Sequence, residues 1–144
     1  MTTLHERDFY QWTQQQAQLL AHGELSKLDV EALIEELHNM GASEKRELIS
    51  RLEVLLMHLL KWQYQPAFQS RSWLLTIEEQ RLQLEDHLDD NPSFKNPDTL
   101  QANIDKAYRR ALVHAEQETG LARSTFPTVC PYGIEQLMDN EFYP

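Results

Sequence analysis

The chain has 144 residues, of which 41% are hydrophobic and 25% charged, and its net charge is −10. This length and composition predict one globular domain with its own core and argue against disorder of the whole chain. The acidic balance disfavours nucleic acids and anionic membranes as partners, because their phosphate groups would be repelled. No apolar run is long enough to span a bilayer and no signal-peptide pattern is present, so we expect a cytoplasmic protein.

The first two predicted helices each begin at an aspartate and end at a glycine. Asp8 and Asp29 are suitable N-caps, and Gly23 and Gly41 tolerate the left-handed backbone that ends many helices. Gln16 interrupts the apolar face of the first helix. The two apolar faces consist of Phe9, Trp12, Ala17, Leu19 and Leu20, and of Val30, Leu33, Ile34, Leu37 and Met40.

The third predicted helix begins at Ser43 and runs to about Tyr64, shortly before Pro66. Its apolar residues cover much of its circumference, and a helix of this kind is usually surrounded by other helices. We therefore expect it to be the central element. Its main seam is Leu48, Leu52, Leu55, Leu59 and Trp62.

Two more helices are predicted after a turn. Ser70 or Ser72 caps the fourth, which ends at Asn91-Pro92, and the fifth extends from Asp98 to Gly120.

Residues 121–144 combine three prolines with several large apolar side chains, which predicts an irregular strap packed on the helices, with a short helix near 134–138. No segment alternates apolar and polar residues as a strand does. The expected fold is therefore an all-α, single-domain bundle over residues 1–144, with about five helices, a central third helix and a C-terminal strap.

Several stretches carry a family resemblance. In chain order they are DFYQW, LLAHG, LDVEALIEELHNMG, LLMHLLKWQYQP, SRSW, TIEEQR, ETGL and FPTVCPY. They resemble the bacterial family called domain of unknown function 29, over nearly the whole chain from Asp8 onward. The resemblance implies an all-helical fold, and it implies no established activity, cofactor or site. Members usually have an acidic residue at the position of His38, so a role for His38 would not be a family role.

One polar residue, His58, interrupts the apolar run Val54–Leu60 and falls at the border of the helix seam. Short-linked second and third helices should be antiparallel, which makes Glu36 a candidate partner. Helical periodicity places Gln80 on the inward face of the fourth predicted helix, where an amide without a hydrogen-bond partner costs about 1–3 kcal/mol. Two interpretations stay open: a polar network that fixes helix register, or a polar pocket of Glu36, His58, Lys61 and Gln80 in a small enzyme or ligand binder.

The segment KWQYQPAFQSRSW combines cations with aromatic side chains. From Lys45 to Arg81 there are six basic residues against four acidic ones, a local balance of +2. Such clusters are common at binding hot spots, which favours a protein partner over RNA. The alternative is that the tryptophans are core residues and the cations are solvated. The candidate partner surface is Lys61, Trp62, Tyr64, Arg71 and Trp73.

The sequence supports little catalytic or metal chemistry. Glu35 and His38 form one E-x-x-H, whereas di-iron bundles need two, and Glu35 points away from the apolar face. No residue is placed to activate Cys130, and a lone cysteine agrees with a reducing compartment. We predict no catalytic residue, cofactor or metal. The leading hypothesis is a non-enzymatic interaction module that binds a protein partner or a second copy of itself.

Overall fold

The computed structural model describes residues 2–144, and 79% of the chain is helical. No strand occurs in residues 2–144, which confirms the predicted all-α fold. None of the helices in this range is both long and apolar enough to cross a membrane. The helices are α1 (Leu4–Arg7), α2 (Phe9–Ala21), α3 (Val30–Tyr64), α4 (Arg71–Asp90), α5 (Pro97–Thr119) and α6 (Ile134–Met138).

The chain divides into two compact units, and the boundary lies within α3 after Glu44. The first unit contains α1, α2 and the beginning of α3. The second unit, Lys45–Pro144, contains the remainder of α3 and all later elements. The single-domain organisation over residues 1–144 stays a prediction.

α3 is one continuous helix where two had been predicted. Gly41 lies inside it, is exposed and has no positive φ, so the prediction that Gly41 ends a helix is wrong. A glycine costs a helix interior only about 1 kcal/mol relative to alanine, and strong helix formers such as Ala42 and Lys45 follow it. Glu36 and His58 are therefore 22 positions apart in the same helix. The antiparallel pair that would have brought them together does not exist.

The helix ends in the second unit follow the expected capping chemistry, with one shift. The Ser70 hydroxyl oxygen accepts a hydrogen bond from the Trp73 amide at 3.2 Å, which selects Ser70 as the cap of α4. α5 begins at Pro97, one residue before the predicted start at Asp98, because Asn96 is its cap. Gly120 ends α5 with a φ of 73°, as predicted.

The core of the second unit surrounds the C-terminal part of α3, which confirms the predicted central helix. α4 and α5 pack against it, and small residues of α5 (Ala107, Ala111 and Ala115) are fully buried. The strap, residues 121–144, adds Phe126, Tyr132 and Leu137 to the same core. The buried apolar residues of α3 are Leu48, Ile49, Leu52, Leu55, Leu56, Leu59 and Leu60.

A buried arginine joins α4 to the strap. Arg81 is 2% exposed, and its Nε donates to the Leu137 carbonyl at 2.8 Å. Its Nη2 donates to the carbonyls of Phe142 at 2.8 Å and Gln136 at 3.3 Å. Burial lowers the pKa of Arg81, but a guanidinium group stays charged at neutral pH. The strap thus receives three hydrogen bonds from one cation of α4.

Replacing this cation should destabilise the second unit. Arg81→Met keeps much of the side-chain volume but leaves the carbonyls of Leu137 and Phe142 without their donor, so we expect a loss of about 3 kcal/mol in the free energy of unfolding. Urea denaturation followed by circular dichroism measures it. Arg110→Met, at an exposed position of α5, is the control and should cost less than about 0.5 kcal/mol. Equal losses in the two variants would contradict the role of Arg81.

Candidate functional site

In the first unit, a small hydrogen-bonded cluster fixes α2 against the start of α3. Trp12 and Gln16 are its buried residues. Trp12 Nε1 donates to Asp29 Oδ2 at 3.2 Å, and Gln16 Oε1 accepts from the Asp29 amide at 2.9 Å. Asp29 Oδ1 also accepts from the Ala32 amide at 3.3 Å, as an N-cap does. Gln16, the polar residue that interrupts the apolar face of α2, therefore forms a hydrogen bond that sets the register of α2 against the start of α3.

Glu36 has a partner that the sequence reasoning missed. Its Oε1 lies 2.6 Å from Nε2 of His5, in α1. The His5 ring packs edge-on against Trp12, with 4.6 Å between ring centroids, and against Phe9 at 5.5 Å. His5 lies outside every predicted helix, so no periodicity could have placed it beside Glu36.

An open groove runs between α2 and the first part of α3, with a volume of about 600 Å³. We call it the α2–α3 groove. Glu36 is the one ionisable side chain among its lining residues, and its carboxylate is hydrogen-bonded to His5. The apolar lining is formed by Phe9, Trp12, Ala17, Leu20, Leu33, Leu37 and Met40.

The large side chains of this groove are unusually exposed. Phe9 is 50% exposed, Leu20 51%, and Leu37 and Met40 64% each. Their spacing had indicated faces typical of helices packed in a core, whereas the structure leaves them open. The reason is that the first unit has little interior, since Trp12 and Gln16 are its only buried residues within the described chain. A contiguous apolar surface of this kind is typical of an interaction site.

The predicted polar-pocket residues of the second unit have separate environments. The ring nitrogen Nδ1 of His58 lies 2.8 Å from the Val54 carbonyl, so this nitrogen carries the proton and donates. Lys61 is buried, and its Nζ donates to the Glu118 carboxylate at 2.9 Å. Its ammonium group also lies 4.5 Å from the ring centroid of Trp73. Both polar groups of α3 are thus satisfied at the border of the core.

Gln80 lies in a second, smaller and more polar cleft of about 330 Å³. Its Oε1 atom is buried and has no hydrogen-bond partner within residues 2–144. Across the cleft, Arg51 Nε donates to Glu47 Oε1 at 3.3 Å. The cleft therefore combines an unsatisfied acceptor with a cation and a carboxylate.

The candidate partner surface is largely occupied by packing within the second unit. The ring of Trp62 lies 5.1 Å from that of Tyr143, and Tyr64 packs edge-on against Phe126 at 5.2 Å. Arg71 is exposed. These contacts match the alternative in which the aromatic residues belong to the core, and a partner role for the segment stays a prediction.

His58 should make the stability of the second unit depend on pH. Burial lowers the pKa of His58 below its usual 6.5 and Lys61 adds to the lowering, while the bond to Val54 opposes it. The unfolded chain then binds more protons than the folded chain below about pH 6.5, so stability falls as the pH drops through that value. In His58→Asn, where an amide nitrogen replaces Nδ1, this loss should disappear.

Urea denaturation at pH 7.5 and pH 5 measures the difference. His22→Asn, at an exposed position, is the control and should keep the wild-type pH dependence. A wild-type slope retained in His58→Asn would show that another group is responsible.

A match to the family described as Domain of unknown function DUF29 covers residues 4–143, nearly the whole chain. No curated protein and no solved structure matches. This match confirms the resemblance that the sequence stretches indicated, and the chain belongs to the family Domain of unknown function DUF29.

Proposed function

We propose that the chain is a non-enzymatic helical interaction module that binds a protein partner through the α2–α3 groove. The observation that carries the proposal is the exposure of two regular apolar stripes on neighbouring helices, in a chain with a net charge of −10. Grooves of this kind commonly receive an amphipathic helix, whose apolar residues recur every three or four positions.

The energy available to a partner is considerable. Full burial of a leucine or methionine side chain stabilises by about 1.5–3 kcal/mol. Leu37 and Met40 retain nearly two thirds of their exposure, and Phe9 and Leu20 half, so most of this energy is not realised within the unit. A partner that covers the groove would gain it.

The groove is a better supported surface than the Lys61–Trp73 segment. In that segment Trp62 and Tyr64 already pack on the strap, and Lys61 is already paired. Binding there would compete with contacts that stabilise the core. Binding in the groove covers side chains that are already half exposed or more, so it need not break such contacts.

The titratable groups favour a non-enzymatic role. Burial raises the pKa of Cys130, which is the opposite of what activates a nucleophilic thiol. Glu36, the ionisable residue of the groove, is engaged by His5. A cytoplasmic location is part of the same proposal, since the lone thiol needs no oxidising compartment.

Charge placed in the groove should abolish partner binding. Leu37→Glu puts a carboxylate where an apolar contact is expected, so we predict at least a tenfold loss of the captured partner, corresponding to about 1.4 kcal/mol or more. Quantitative affinity capture from the native cells, with tagged protein, is the measurement.

The matched control is Leu82→Glu, because Leu82 is 61% exposed and lies on α4 of the second unit. It should capture the same proteins as the wild type. If Leu37→Glu and Leu82→Glu capture identical sets, including untagged copies of the chain, the groove is not a docking surface.

A second candidate function is supported by one observation, the buried and unsatisfied Oε1 of Gln80. A polar small molecule that donates a hydrogen bond to this atom would remove a cost of about 1–3 kcal/mol. In a thermal-shift screen of polar metabolites, such a ligand should raise the Tm of the wild type and of Leu82→Gln, but not of Gln80→Leu. A screen without a Gln80-dependent shift would remove this candidate.

A further inference from the structure

We infer that the α2–α3 groove binds the same groove of a second copy of this chain, so that the first units of the two copies together form a four-helix bundle. The inference rests on the proposed function, since it names the partner of the same surface. Three properties of the first unit lead to it: the small number of buried residues, the distribution of charge and the exposed area.

The first unit lacks an apolar core of its own. Trp12 is its one buried hydrophobic residue within the described chain, and α3 has no buried residue before Leu48. Helices of this length gain most of their stability from packing of an apolar face. Two copies with their grooves opposed would place four apolar stripes around one shared core, which is the arrangement of a four-helix bundle.

The charge distribution permits contact between identical surfaces. α2 has no charged residue over its 13 positions, and the groove holds one carboxylate, that of Glu36, which is hydrogen-bonded to His5. Glu35 lies about 200° around α3 from both Leu33 and Leu37, at 100° per residue, so it remains on the outer side. A chain of net charge −10 could therefore meet its copy here with a single groove carboxylate from each copy. A row of carboxylates would favour a basic peptide as the partner, and the groove has no such row.

The exposed area reaches the lower limit for a specific pair. The four exposed large apolar side chains that line the groove leave on the order of 500 Å² uncovered per chain, so a pair would bury about 1,000 Å², at the lower end of specific interfaces. A two-fold axis closes the assembly at two copies, because each copy uses its groove once. The contributing residues, each 50–64% exposed, are Phe9, Leu20, Leu37 and Met40.

The experiment is sedimentation equilibrium of the full chain from about 1 to 100 µM, a range that detects dissociation constants of ordinary dimers. We expect the wild type and Leu82→Glu to have twice the monomer mass of 17.0 kDa. Leu37→Glu should sediment as a monomer. Leu37→Ala, which adds no charge, should dimerise with a dissociation constant raised at least tenfold, and circular dichroism checks that each variant keeps its helix content.

The outcomes separate the two proposals. A wild type that stays monomeric at about 100 µM overturns the second-copy inference, and the proposed function survives if a different protein is captured in a manner that depends on Leu37. A dimer whose affinity is the same in Leu37→Ala, Leu37→Glu and the wild type also overturns the inference, because the contact then lies elsewhere. Only unchanged capture by Leu37→Glu overturns the proposed function as well.

Discussion

The enclosure of the C-terminal part of α3 is the constraint on which the second unit depends. Seven leucine and isoleucine side chains between Leu48 and Leu60 are 0–2% exposed, on several sides of the helix. No single neighbour can cover so broad a surface, so α4, α5 and the strap are all required. Polar groups are then confined to the margins of the helix, where His58 bonds to a carbonyl and Lys61 to a carboxylate.

The strap shows how an irregular segment can complete this enclosure. Carbonyls in irregular chain and at the end of a short helix often have no backbone donor within the segment, so side chains of the long helices supply donors. Arg81 bonds to three strap carbonyls, and the Tyr108 hydroxyl donates to the Pro127 carbonyl at 2.6 Å. In the reverse direction, the Tyr132 hydroxyl of the strap donates to Gln63 Oε1 at 2.6 Å. The strap is therefore fixed by polar bonds as well as by its buried aromatic rings.

Periodicity predicted the all-α fold, the central segment and most of the second-unit core, because in the second unit the residues on the apolar stripes are the ones that become buried. It failed at Gly41, since the helix cost of one glycine is too small to end a helix among strong helix formers. The bond between His5 and Glu36 left no trace in the sequence. Arg81 left one: it is four positions after Ile77 and three before Leu84, which places it on the inner face of α4.

The same kind of sequence pattern thus has two different outcomes in this chain. In the second unit, apolar stripes meet other stripes of the same unit and become a closed core. In the first unit, the stripes on α2 and α3 are comparably regular, but their large side chains Phe9, Leu20, Leu37 and Met40 remain half exposed or more. A stripe specifies which side of a helix is to be covered, but it does not specify whether the cover comes from the same chain. The side chains left uncovered in the first unit are therefore the strongest basis in this protein for an interaction, whereas the satisfied border residues of the second unit serve its stability.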